Sequence, residues 1–347
     1  MKKSSFLFLL ISIGMSCLAQ SNMGETPFLV KSFSAVSMKT LEARTNGGNI
    51  GVKGSSATEA KVEVYISPDN GRRNRLSKEE IQKRLDEDYE LTIKMDGDKL
   101  SAIAREKSRS MNGNHNLSIS FYIVVPQNIS SHLNTSGGNI SLSGLTGEQD
   151  FGTSGGNLEI RQVSGKMTGH TSGGNIDISG SKDFIDLTTS GGNIDASHCG
   201  GNIKLHTSGG NVGLHLLDGS IKALTSGGNI DAERVGGDLI AQTSGGNLVL
   251  KSLSCSLDAS TSGGDADVEI LELRKYVKIN NSSGTVNLKL PSGKGLNLDI
   301  TGDEIRTDAM NNFSGTKKEH SLVGKLNGGG TPVEIDASSG RINISFH

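Results

Sequence analysis

Tryptophan is absent from this chain and aromatic residues make up only 4% of it, so the stacking platforms on which polysaccharide-cleaving β-helices hold sugar rings have little to be built from. Cysteine is scarce too: Cys17, Cys199 and Cys255 are the only three, too few for a disulfide-stapled scaffold. The formal balance is mildly acidic, which argues against a nucleic-acid partner, since phosphate binding needs clustered Lys and Arg. Apart from the N-terminal stretch, no apolar run approaches the length of a membrane-spanning helix. Proline is rare at 5 residues while glycine reaches 47, a balance that fits a disordered chain unless the glycines are periodic.

They are periodic. T-S-G-G-N begins at Thr135, Thr153, Thr171, Thr189, Thr207, Thr225 and Thr243, and T-S-G-G-D begins at Thr261, every interval being 18 residues. Relaxed versions stand at Thr45-Asn46-Gly47-Gly48-Asn49, at Asn281-Ser282-Ser283-Gly284 and at Ala337-Ser338-Ser339-Gly340. Aligning the eight copies exposes two apolar columns at the sixth and eighth positions, from Ile140 and Leu142 to Ala266 and Val268. That alternation marks a strand with one buried face. A second strand follows in each copy, where Met167, Ile185, Ile203, Ile221, Leu239 and Leu257 share a column. The expected fold is therefore all-β, a parallel β-solenoid with two short strands per 18-residue coil.

Three sets of residues are assigned structural roles. The glycine pairs Gly137-Gly138, Gly155-Gly156, Gly173-Gly174, Gly191-Gly192, Gly209-Gly210, Gly227-Gly228, Gly245-Gly246 and Gly263-Gly264 are expected to supply a positive-φ corner. A second glycine column, Gly147, Gly165, Gly201, Gly219 and Gly237, marks the other corner. Asn139, Asn157, Asn175, Asn193, Asn211, Asn229 and Asn247 place identical amides one coil apart, where they can hydrogen-bond along the stack.

The chain divides into four segments. Residues 1–19 read as a secretory signal, with Lys2 and Lys3, an apolar core and a break after Ala19. Lipidation at Cys17 is disfavoured because Gly14 stands where a lipobox has Leu. Cleavage shifts the balance from 35 basic against 37 acidic residues (−2) to 33 against 37 (−4). Residues 20–130 form an N-terminal β-rich domain with strands at 60–67, 89–95, 99–105 and 117–125, a hairpin turn at Asp96-Gly97-Asp98, and one helix at 77–88 capped by Ser77 and Glu80. Residues 131–290 form the solenoid and residues 291–347 a C-terminal cap, since an open solenoid end would polymerise.

The strand start at Asn46-Gly47-Gly48-Asn49-Ile50, the Asp96-Gly97-Asp98 turn, Ile123-Val124-Val125-Pro126 leading into the T-S-G-G-N array, and the late Asn327-Gly328-Gly329-Gly330 and Ser338-Ser339-Gly340 together resemble a bacterial "putative adhesin" family of exported β-strand-repeat proteins. The resemblance spans nearly the whole mature chain and is of the Bacteroidota type. It implies an exported β-solenoid and brings no catalytic residues.

Sites of chemistry are weighed one by one. Calcium-binding β-rolls also turn in 18 residues, but here an inward Ile follows Gly-Gly-Asn, as at Ile176, and Asp177, Asp195 and Asp231 are matched by Ser141, Glu159 or Gly213 in other coils. His170 and His206 share a coil position two coils apart, about 10 Å, too far for one zinc ion. Cys199 sits in an apolar column and Cys255 about 14 Å further along, so both are expected as free thiols. No catalytic residue, metal or cofactor is expected. The reading is a non-enzymatic, monomeric adhesin-like or envelope structural protein, exported to the periplasm, the outer surface or the medium, with an unknown surface glycan or protein as ligand. The alternatives are an envelope sensory protein acting through its N-terminal domain and, with less support, a carbohydrate-binding or polysaccharide-degrading β-helix.

Overall fold

The computed structural model describes residues 26–68, 76–107 and 116–347. The signal read at residues 1–19, Cys17 included, and the charged segment 69–75 lie outside them. The described residues are nearly all strand and mostly parallel, with one helix among them, α1 (Lys78–Asp88), whose N-cap Ser77 side chain accepts the Glu80 N–H.

Two parallel ladders run side by side. In the first, Ser130–Asn134, Gln149–Gly152, Ser164–Thr171, Lys182–Thr189 and Gly200–Thr207 stack with a register of 18 residues, as in Met167 beside Ile185 and Ile185 beside Ile203. In the second, Ile140–Ser143, Leu158–Arg161, Ile176–Ser179 and Ile194–Ser197 stack with the same offset. From Val212 onward the two strands of a rung merge into single long ones, Val212–Leu224, Ile230–Gln242 and Leu248–Thr261. Side chains alternate in and out, so both apolar columns point between the ladders, and Ile140 to Ala266 and Leu142 to Val268 are all buried. Phe151 fits this narrow core because the next rung offers Gly169, where a Cβ would stand 2.4 Å from its ring.

Both ladders extend beyond the repeat array, out of sequence order. Thr40–Arg44 and Ile50–Ser55 pair in parallel with Ser130–Asn134 and Ile140–Ser143, Ile50 lying beside Ile140. On their other side lie Lys99–Glu106 and Leu117–Pro126, Leu41 beside Leu100 and Ile50 beside Phe121. The expected boundary at residue 130 is thus crossed by continuous parallel pairing. Beyond this rung the ladders turn antiparallel: Tyr89–Asp96 closes one, and Glu59–Pro68 followed by Leu29–Ser34 closes the other.

The far end repeats the arrangement. The final strand, Thr331–Phe346, lies between Val277–Asn281 and Val286–Leu290 on one side and Leu296–Thr307 on the other. Leu296–Thr307 then meets Ser321–Leu326 and, beyond it, Phe313–Lys317 in antiparallel pairs.

The corner glycines require a correction. None of the glycine pairs from Gly137-Gly138 to Gly263-Gly264 has positive φ. Positive φ instead falls on Gly147, Gly165, Gly201, Gly219 and Gly237, and on a column mostly without glycine: Gly144, Gln162, Gly180, His198, Leu216, Arg234 and Ser252. Close backbone approach explains the second glycine of each pair. A Cβ on Gly174 would lie 1.9 Å from the Gly156 carbonyl oxygen, and one on Gly192 would lie 2.0 Å from that of Gly174. The first glycine is different: a Cβ on Gly173 or Gly191 would make ordinary contacts at 3.6–3.7 Å.

Candidate interaction surface

Each T-S-G-G-N corner is a hydrogen-bonded clasp between rungs. The buried Thr189 hydroxyl donates to the Gly174 carbonyl of the preceding rung at 2.8 Å and accepts the Gly192 N–H of its own at 3.3 Å. The same pair of bonds recurs at Thr153, Thr171, Thr207, Thr225, Thr243 and Thr261. Asn281 takes over both roles in a relaxed copy, its Nδ2 donating to the Gly264 carbonyl and its Oδ1 accepting the Ser283 N–H. The asparagine column runs alongside. Each Oδ1 accepts the backbone N–H of the next asparagine, so Asn157 N–H donates to Asn139 Oδ1 at 2.8 Å, and this continues through Asn175, Asn193, Asn211, Asn229 and Asn247 to Asp265. The link is backbone to amide carbonyl, not the amide to amide contact an asparagine ladder suggests.

These bonds tie rung to rung, and the charged side chains stand on the outward faces. On the first ladder, carboxylates meet partners from an adjacent rung: Lys166 Nζ lies 2.6 Å from Glu148, Lys204 Nζ 3.1 Å from Asp186, and His132 Nδ1 within hydrogen-bond distance of Asp150 at 2.9 Å. On the second, Glu159 holds Arg161 at 2.7 Å and Glu269 holds Lys289 at 2.9 Å.

Between those pairs the pattern fails. Asp177 stands directly beside Asp195, Asp195 beside Gly213, and Gly213 beside Asp231. Among the described residues none of these three aspartates has an ion-pair partner. Burial, reinforced by the Asp177 charge, raises the Asp195 carboxyl above the usual range. Gly213 leaves a rung without a side chain, and Asp195 Oδ1 leans over it, 2.5 Å from where a Cβ would be. The result is a depression of about 490 Å³ lined by Asp177, Asp195, Asp231, His215 and Glu233 among others. A second of about 350 Å³, lined by Asp267, Glu269, Asn287 and Lys289, adjoins it at Lys251. They form one trough along the outer face of the second ladder.

The other candidates do not converge. His170 and His206 are separated by Thr188, as the register requires, and His170 covers Gly152. His198 and His215 meet edge to face, with ring centres 6.0 Å apart. Among the described residues no group of three or more His, Cys, Asp or Glu side chains could hold a metal ion. Cys199 and Cys255 are buried and unpaired, and burial pushes the Cys255 thiol up to about 12. No helix among the described residues is long and apolar enough to cross a membrane.

The coils keep their 18-residue register as far as Val268 and lose it beyond, where Leu257 pairs with Val277 and the strand order inverts. Residues 238–345 match the family described as Toastrack DUF4097. The Toastrack segment therefore starts within the regular array and takes in the inserted final strand. Two solved structures align over nearly the whole chain, each at 13% identity. One is a "putative cell adhesion protein" from Clostridium sporogenes ATCC 15579, covering 93% of this chain and 100% of that one at a TM-score of 0.18. The other is a "putative adhesin" from Bacteroides fragilis NCTC 9343, covering 92% and 96% at 0.24. The resemblance to adhesin-named bacterial proteins read from the repeats is thus found again, at scores that carry no argument about this chain's own shape or role. No curated protein matches the chain.

Proposed function

We propose that this is an exported, non-catalytic surface protein of adhesin type, a rod that engages a glycan or protein on another surface through the outer face of its second ladder. One observation carries the reading. Asp177 stands directly beside Asp195, and with Asp231 they line an open trough in which none of the three has an ion-pair partner among the described residues. Like charges stacked on adjacent strands oppose folding, and a stability cost kept in one place marks a site selected for something else. The sensory alternative draws on a self-standing N-terminal domain, and the parallel pairing of Thr40–Arg44 and Ile50–Ser55 with the first array rungs gives it less support.

The test is adhesion of the purified protein to host-derived cells, matrix proteins and glycan arrays, comparing the full chain with a D177S/D195S/D231S variant and with K204S/K222S on the opposite face. We expect the triple variant to lose binding at least tenfold while the lysine variant is unchanged. Equal binding by all three, with thermal unfolding intact, removes the trough from the function.

A further inference from the structure

The placement of the C-terminal strand points to a second way for this chain to close. Thr331–Phe346 fills a slot whose two walls, Val277–Leu290 and Leu296–Thr307, both precede it in sequence. Both walls use the same register: Val277 and Leu298 face Val333, Ile279 and Ile300 face Ile335, and Val286 and Ile305 face Ile342. Val333, Ile335, Ala337, Ile342 and Ile344 are buried there.

The strand reaches the slot through Asn327-Gly328-Gly329-Gly330. The first three of these residues have positive φ, at 51°, 85° and 88°. The connection folds back tightly over Gly295, where a Cβ on Gly330 would stand 2.3 Å from the Gly295 carbonyl oxygen. Its other ties are local hydrogen bonds that opening the turn would break: the Asn327 N–H donates to the Asn312 carbonyl and the Gly329 N–H to that of Leu326, the Asn297 side chain donates to the Gly330 carbonyl and accepts its N–H, the Asn312 side chain donates to Asn327 Oδ1, and the Asn327 side chain donates to the Lys294 carbonyl.

We propose that this strand exchanges between two copies of the chain, each filling the other's slot, to give a dimer joined at the C-terminal ends. Every contact of the buried strand is identical in the closed monomer and the exchanged dimer; only the four-residue connection changes, from a folded-back turn to an open span. A short hinge held in a tight turn between such equivalent states is the condition under which domain swapping is cheap. Because slot and strand lie at the same end, exchange is reciprocal and closes at two copies, with no open strand left to carry on a fibre. The monomer expected from the sequence is then one of two closures of the same contacts.

The test uses full-length chains. Lys278 and Glu334 are exposed and directly paired across the slot wall. Copies carrying K278C and one affinity tag are mixed with copies carrying E334C and another, incubated near the onset of unfolding, cooled and oxidised. A disulfide uniting the two tags forms when the strand of one copy occupies the slot of the other. We expect at least tenfold more two-tag product than from K204C copies mixed with E334C copies, which measures collision between exposed thiols. Placing K278C and E334C in one chain and oxidising before mixing should abolish exchange. Two outcomes overturn the proposal: the double variant closes its internal bond yet the mixed single variants give no product above the collision control, or the double variant does not close at all.

Discussion

Within a T-S-G-G-N corner, adjacent glycines answer to different constraints. A methyl group on Gly192 runs into the Gly174 carbonyl at 2.0 Å, backbone against backbone, whereas one on Gly191 reaches only ordinary contact at 3.6 Å. Gly192→Ala is therefore expected to cost several kcal/mol, and Gly191→Ala to stay within about 1 kcal/mol of the parent, in urea unfolding followed by circular dichroism. Thr189 is constrained through its hydroxyl. Thr189→Val keeps the shape but orphans the Gly174 carbonyl and the Gly192 N–H, an expected loss of about 1–3 kcal/mol, while Ser190→Ala next to it should be silent. Sequence periodicity could not separate these roles, because both glycines and the threonine recur equally often. Nor could it find the positive-φ column at Gln162, His198, Leu216, Arg234 and Ser252, since of those residue types only His is enriched in a left-handed backbone.

At the scale of a strand and its neighbours, the inward columns were fully legible: alternation with a period of two says which side chains are buried, and Ile194 and Ala196 are, while Asp195 is not. The trough was not, because the relevant signal is a missing side chain at Gly213 flanked by carboxylates that stack rung on rung without an ion-pair partner among the described residues. Its electrostatics give a pH prediction. The Asp195 carboxyl is raised in the folded state, so between its unfolded and folded values the native protein binds more protons and stability falls as pH rises. Above the folded value the penalty is complete. Asp195→Asn should therefore unfold at a higher temperature than the parent at pH 7, with the gap closing near pH 3, where both forms are uncharged. A constant gap across that range would place its origin outside the charge of Asp195.

The whole molecule is a linear stack in which each regular rung touches mainly its two neighbours, so length is adjustable in one unit only. Deleting residues 172–189 rejoins Thr171 to Ser190 and restores a T-S-G-G-N corner, and the shortened protein should still unfold in one cooperative step. Deleting residues 172–188 keeps the corner at Thr189 but leaves one residue too many in the coil before it, an extra residue that must bulge out of the strand, and the unfolding midpoint should fall below that of the 18-residue deletion. The ends escaped sequence reading for a related reason: pairing between Leu41 and Leu100, or between Val277 and Val333, leaves no local mark, and only the relaxed motifs at Thr45, Asn281 and Ala337 hinted that rungs lay outside the array. The inverted order at the C-terminal end also bears on synthesis. A chain made from its first residue can stack the array as it emerges, but its last rung but one waits for the final residues. The strand ending at Phe346 thus acts as a keystone, and a polypeptide cut short anywhere near its end is left with an unfilled gap in the stack, a flaw by which quality-control proteases can tell an unfinished molecule from a complete one.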